Sequence, residues 1–203
     1  SGGEKDERFH QLLLAKNQEG YENLSRLCSL GFIEGLYGKF PRIDKELLLK
    51  YHKGLIATSC CIGAEIPQAI IKGKLDEAEN LLKWWLDLLG EDFYIEIQRQ
   101  GGNNDLHDMG ISQEQVNQHL LRLAKKYNVK VIATNDVHYL EEEDSVPHDI
   151  LLCVNTNSFV EEKNRFKFSS SEYFFKTSAQ MQERFADVPE AIAHTLEIAD
   201  KCF

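Results

Sequence analysis

At 203 residues, with 42% hydrophobic and 28% charged positions, the chain has enough apolar material for one core and belongs with folded rather than disordered or fibrous sequences. A formal net charge of −10 excludes a broad phosphate-gripping surface, which needs clustered Lys and Arg. Contact with DNA would have to be local, metal-assisted or made by another part of a larger protein.

The start, Ser1-Gly2-Gly3, reads as an expression scar, and the charged run Glu4 to Arg8 leads straight into an apolar segment, so the chain is expected to begin inside a domain. His10 to Ala15 is a candidate buried strand. Asn17 and Gly20 give turn and cap signals, and Tyr21 to Glu34 carries apolar residues at helical spacing. Asp44 is placed to cap a helix over Lys45 to His52, which Gly54 ends. Leu55 to Ser59 forms a second strand, followed by helices over Glu65 to Ile71 and Leu75 to Leu89. Phe93 to Gln98 alternates as a third strand, Ser112 opens a helix to Tyr127, and Val129 to Thr134 is the fourth strand. Strand and helix alternate, and the strands are too apolar for an exposed sheet, which predicts a parallel α/β core. Beyond His138 the pattern changes: a helix is expected over Pro147 to Val154, short β segments at Phe166 to Phe168 and Tyr173 to Lys176, and helices at Ser178 to Phe185 and Pro189 to Cys202.

In parallel α/β folds the carboxyl ends of the strands form the functional face. Asp136 and His138 close the fourth strand, and a period of two would point both the same way, as an oxygen and a nitrogen donor suited to Zn, Mn or Fe. The bland alternative is a polar loop with an incidental histidine. Cys60-Cys61 ends the second strand and reads equally as a thiolate ligand or as two small buried residues. His10 stands at the start of its strand, where position alone predicts no ligand. Glu96 is either a carboxylate that orients a ligand or a structural interior residue. His52, His107, His119 and His194 read as surface residues, and His148 as a structural residue of a helix first turn, with lining the site as the lesser alternative. Of the adjacent Trp84 and Trp85, one must turn away from the core. The odd set of five cysteines, Cys28, Cys60, Cys61, Cys153 and Cys202, has no CxxC pair and fits a reducing, cytoplasmic setting. No apolar run of about 18 residues marks a membrane span, no secretory leader is read at the start, and no Gly-rich phosphate loop or Gly-x-Ser-x-Gly elbow is present.

Taken jointly, several segments carry a resemblance. They are His10 to Asn17 with Glu19-Gly20-Tyr21 and Asn23-Leu24, Pro41 to Leu47, Gly54 to Cys61 with Gly63 and Glu65-Ile66-Pro67, Ala133 to Leu140, His148 to Cys153, Phe185-Ala186-Asp187, Pro189-Glu190-Ala191, and Thr195 to Cys202. The chain resembles the PHP (polymerase and histidinol phosphatase) domain as it occurs in bacterial DNA polymerase III alpha subunits. The resemblance implies a distorted (β/α)7 barrel with a cluster of up to three divalent ions, Zn or Mn, at one mouth. It implies that His10, Cys61, Asp136 and His138 are metal ligands, with Cys60 standing where the family has a small residue. The family's opening His-x-His motif and the ligands that follow it are expected upstream of Ser1. The fold expected here is therefore an incomplete α/β barrel lacking its first strands, with a C-terminal helical extension. Residues 1–3 would be scar, 4–155 the later part of the barrel, and 156–203 the end of the domain and the link toward a polymerase core.

The activity implied is metal-assisted phosphodiester hydrolysis, a 3′–5′ exonuclease within a DNA-directed DNA polymerase, with weak or absent metal binding and no activity expected of this piece alone. Partners implied are DNA through the parent polymerase, other replicase subunits and a proofreading exonuclease, with no membrane. The competing reading is a non-catalytic scaffold that braces the polymerase and docks that exonuclease.

Overall fold

A computed structural model describes residues 8–101 and 110–203. The expected scar, His107 and most of the turn at Gly101 to Asn104 lie outside the described residues. Four strands, β1 (Leu13–Ala15), β2 (Leu55–Thr58), β3 (Phe93–Gln98) and β4 (Val131–Thr134), form one open sheet in the order β1-β2-β3-β4. Eight α-helices accompany them among the described residues: α1 (Gln18–Ile33), α2 (Lys45–Tyr51), α3 (Glu65–Ile71), α4 (Leu75–Leu89), α5 (Gln113–Tyr127), α6 (Ser145–Thr156), α7 (Ser178–Arg184) and α8 (Glu190–Lys201).

Local chemistry accounts for most boundaries. Asn17 caps α1 by accepting from Gly20 N, Asp44 caps α2 by accepting from Leu47 N, and Ser112 and Gln115 form a reciprocal capping box on α5. Asn128 and Asn157 end α5 and α6 in the left-handed conformation, which asparagine tolerates. Helix α4 buries Ala78, Leu82 and Trp85, spaced on one helical face, and α5 buries Val116, Leu120 and Ala124 in the same way.

Strands β2, β3 and β4 are parallel, as the sequence predicts. Strand β1 departs from this and pairs antiparallel with β2, Ala15 opposite Leu55. Two helices rather than one separate them. One helix returns the chain to the far end of the sheet and gives a parallel neighbour; the α1–α2 hairpin brings it back to where it left. Gly20 at the start of α1 packs on Gly54, just before β2, and Lys16 N donates to Gly54 O at 2.9 Å.

Phe93, Ile95 and Ile97 join Leu55, Ala57, Val131 and Ala133 in the main core, against α3, α4 and α5. The opposite face carries Ile56, Tyr94 and Ile132, sealed by Ile198 of α8 and Leu14. Burial on both faces explains strands that are apolar throughout. Helix α8 is held there by Tyr94 donating to Glu197 at 2.6 Å, by the His194 Nδ1 to Val131 O contact at 2.8 Å, and by Phe203 N donating to Lys16 O at 3.2 Å. His194 is thus packed on β4 rather than free at the surface.

The short β segments expected after α6 do not form strands. Phe166 to Phe168 is irregular, and Tyr173 to Lys176 contributes one isolated bridge, Tyr139 with Phe174. The backbone groups there are satisfied by the loop after β4 instead: Asn135 donates its amide to Glu172 O and Phe174 O, and His138 N donates to Tyr173 O at 2.8 Å. No described helix is long and apolar enough to cross a membrane.

Candidate functional site

The antiparallel register of β1 settles the awkward position of His10. The entry of β1 and the exit of β2 lie at the same end of the sheet, and the exits of the parallel strands β3 and β4 lie there too. All four candidate ligands therefore belong to one end of the sheet, in two pairs.

In the first pair, His10 Nδ1 lies 3.3 Å from Cys61 Sγ. His10 N donates to Gly63 O at 3.0 Å, and a Cβ on Gly63 would stand 3.0 Å from the imidazole, so glycine leaves the room this ring occupies. The Cys60 thiol donates to Cys61, and this bond, opposed by burial and helped by His10 and the Gly63 backbone, pushes the Cys61 thiol down to about 5. The same bond and burial push Cys60 up. The two sulfurs thus share one proton, with Cys61 as the thiolate, the form in which cysteine ligates metal or attacks an electrophile.

In the second pair the strand geometry expected for Asp136 and His138 is absent. Strand β4 ends at Thr134, and Val137 N donates to Asn135 O at 2.9 Å in a three-residue turn that interrupts the two-residue alternation. Both side chains are exposed on the loop. His138 Nδ1 lies 2.8 Å from the carbonyl of Asp136 and 4.0 Å from its carboxylate. With Nδ1 engaged by a carbonyl, Nε2 carries the free lone pair, the tautomer a metal ligand needs.

His148, read from the sequence chiefly as structural, joins this pair. The His148 ring centroid lies 5.7 Å from His138, and Phe168 sits against both rings, at 4.7 Å from His138 and 4.8 Å from His148. Burial, then the neighbouring His138, lowers the pKa of His148. A single histidine one residue past a proline carries no periodic signal, and the loop after β4 brings it near.

Glu96 ties the two strand exits together. It is 5% exposed and accepts from Thr58 Oγ1 and Thr134 Oγ1, each at 2.5 Å, and from Gln98 at 3.2 Å. Its own N–H donates to Ser59 Oγ at 2.8 Å. The carboxylate bridges β2 and β4 immediately before Cys60-Cys61 and Asp136, and so positions those loops.

A closed metal centre needs three or four protein donors. Among the described residues no group of three or more His, Cys, Asp or Glu side chains is placed to hold an ion. The pairs suit a metal in donor chemistry, thiolate with imidazole and imidazole beside carboxylate, and fall short of one in number.

Residues 2–100 match the family described as PHP domain. The chain is 40% identical over 194 residues to "DNA polymerase III subunit alpha" of Borreliella burgdorferi, covering 96% of this chain and 16% of that protein. It is 41% identical over 197 residues to the subunit of the same name from Thermus aquaticus, covering 96% and 15%, and 38% identical over 213 residues to that of Helicobacter pylori, covering 100% and 17%. The chain is thus similar over residues 2–100 to the PHP domain, and over nearly all its length to one stretch of these alpha subunits. The chain spans about one sixth of the length of the curated relatives it matches.

Two further features lie beside the site. A cavity of about 300 Å³ opens beside His138, lined by Tyr139, His148, Asp149, Arg165 and Lys167 among others. Arg165 clamps Asp149 there through two bonds of 2.6 and 2.5 Å and holds that carboxyl below its ordinary range. Trp85 lines a second cavity together with His10, and the tryptophan pair divides as expected. Trp85 is buried, donates to Glu65 at 2.7 Å and stacks on Phe93, while Trp84 stays half-buried beneath the Lys45 ammonium.

Proposed function

We propose that this chain is the later part of a PHP barrel in a bacterial replicative DNA polymerase III alpha subunit, and that His10, Cys61, Asp136 and His138 are the donors it contributes to a divalent-metal phosphodiesterase acting on DNA 3′ ends. The observation that carries this reading is topological: the antiparallel β1 brings His10 to the strand ends that also bear Cys61, Asp136 and His138, in a chain related to alpha subunits over nearly its whole length. A bound divalent ion supplies charge for phosphate oxygens and lowers the pKa of a water. The chain's own residues prepare for it. Cys61 is held as thiolate, His138 presents Nε2, and Glu96 fixes the two loops relative to each other.

The missing donors, and closure of the sheet into a barrel, belong on this reading to sequence beyond the described residues, as do the polymerase carboxylates. DNA and the other replicase subunits are then partners of the whole protein. The decisive experiment uses the full-length alpha subunit. Asp136→Ala and His138→Ala are expected to lower bound metal, measured by elemental analysis after dialysis, and to abolish release of a 3′-terminal nucleotide while primer extension continues. Wild-type protein that holds no metal and releases no 3′ nucleotide, yet captures a separate exonuclease subunit, would replace this reading with a scaffold. For the isolated chain, metal after dialysis is expected well below one ion per molecule; tight stoichiometric Zn²⁺ would overturn the idea that donors are missing.

A further inference from the structure

Cys60 has an unusual backbone. Its φ of +56° lies in the left-handed region, shared among described non-glycine residues with Asn128 and Asn157. Those two cap helices, a place where asparagine is ordinary. Cys60 caps nothing, and glycine would occupy this conformation without strain. A side chain held there puts a second thiol directly beside Cys61 in the chain. The backbone on either side is pinned: Cys60 N donates to Thr58 Oγ1 at 3.0 Å, and Cys61 O accepts from Ala64 N at 2.9 Å. Both thiols are partly exposed, whereas Cys153 is buried.

We propose that Cys60 and Cys61 form a reversible redox modification site, oxidised by a hydroperoxide to a disulfide between neighbouring residues. In the first step the peroxide O–O bond breaks, the Cys61 thiolate sulfur takes a hydroxyl as sulfenic acid, and the alkoxide or hydroxide that leaves takes its proton from water. In the second the Cys60 sulfur attacks, the S–S bond forms, and water departs carrying the Cys60 proton. The pair gives up two electrons and the peroxide accepts them. Neighbouring Cα atoms stand about 3.8 Å apart across a trans peptide, closer than the roughly 4.4–6.8 Å usual for disulfides. The product is a strained ring that thiols reopen readily, the behaviour of a labile rather than a structural disulfide. Its formation takes the Cys61 sulfur away from His10.

The test is peptide mapping of this chain with exposed Cys28 and Cys202 replaced by serine, treated with graded hydrogen peroxide and then alkylated. The expected result is a Cys60–Cys61 peptide lighter by two hydrogens, resistant to alkylation and restored by dithiothreitol. Cys60→Ser is expected to lose that species and to accumulate Cys61 sulfenic acid trapped by dimedone, then irreversible acids. A parent peptide with both thiols still alkylated, or with Cys61 driven to sulfinic acid while Cys60 remains free, would overturn the proposal.

Discussion

Cys61 is the side chain whose ionisation the fold alters most usefully. Its largest influence is the Cys60 thiol, with His10 a smaller one, so Cys60→Ala should move the pH midpoint of Cys61 alkylation upward further than His10→Ala does. The sign for stability follows. A thiol held at about 5, below its ordinary value of 9.0, contributes fully above pH 9.0, loses that contribution as pH falls, and contributes nothing below pH 5. Cys60, pushed up, acts with the opposite sign above the ordinary thiol value and leaves this window to Cys61. Urea midpoints of the wild type should therefore rise from pH 5 toward pH 9 more steeply than those of Cys61→Ser. Glu96 offers a second residue test. Glu96→Leu leaves the Thr58 and Thr134 hydroxyls without their acceptor, and a loss of about 2–4 kcal/mol is expected from urea unfolding. At this scale the closeness of Asp136 and His138 was legible, but its cause was not. Asp136 and His138 are neighbours through a turn, not through strand alternation, and nothing local could reveal that Val137 N turns back to Asn135 O.

Among the elements, caps and amphipathic faces were legible because they depend on neighbours in sequence. Asp44 and Ser112 start their helices where their side chains can reach the third N–H beyond, and Ala78, Leu82 and Trp85 mark the buried face of α4. The direction of β1 was not legible, since it depends on α1 and α2 folding into a hairpin on the sheet. That hairpin rests on one close contact. A Cβ on Gly20 would meet Gly54 O at 1.9 Å, and Gly54 itself has φ +74° with a Cβ position 2.4 Å from Asn17 Oδ1. Neither neighbour can yield, because both contacts are to the backbone or to the cap of α1. Gly20→Ala is expected to cost at least about 2 kcal/mol in thermal or urea unfolding, and to weaken the His10–Cys61 contact because β1 is displaced with α1. The β segments near Phe166 and Tyr173 failed for a related reason: aromatic and β-branched composition favours strands only where a ladder partner exists, and here the loop after β4 takes those hydrogen bonds first.

Over the whole molecule, two apolar surfaces stand out. Phe32, Ile33, Leu36 and Tyr37 are exposed around the end of α1, and Val146, Ile150, Leu151 and Val154 line the outer side of α6. A surface with a net charge of −10 opposes self-association, yet apolar areas of this kind promote it. Light scattering is expected to show mass rising with concentration and with salt, and Ile150→Glu with Val154→Glu should reduce it. A strict monomer at high concentration would contradict this. The clamp of α8 across the second sheet face carries a different consequence. Ile56, Tyr94 and Ile132 are covered by one helix whose end is fastened to Lys16 through the Phe203 amide. Amide hydrogens of β3 and β4 should then exchange with solvent deuterium at a rate set by how often α8 lifts, while those of α4, held by the main core, report global opening. A substitution such as Glu197→Ala, which removes the bonds to Tyr94 and Lys130, should accelerate exchange in the sheet and leave α4 nearly unchanged. The last helix thus sets the local breathing of the strands that carry the site.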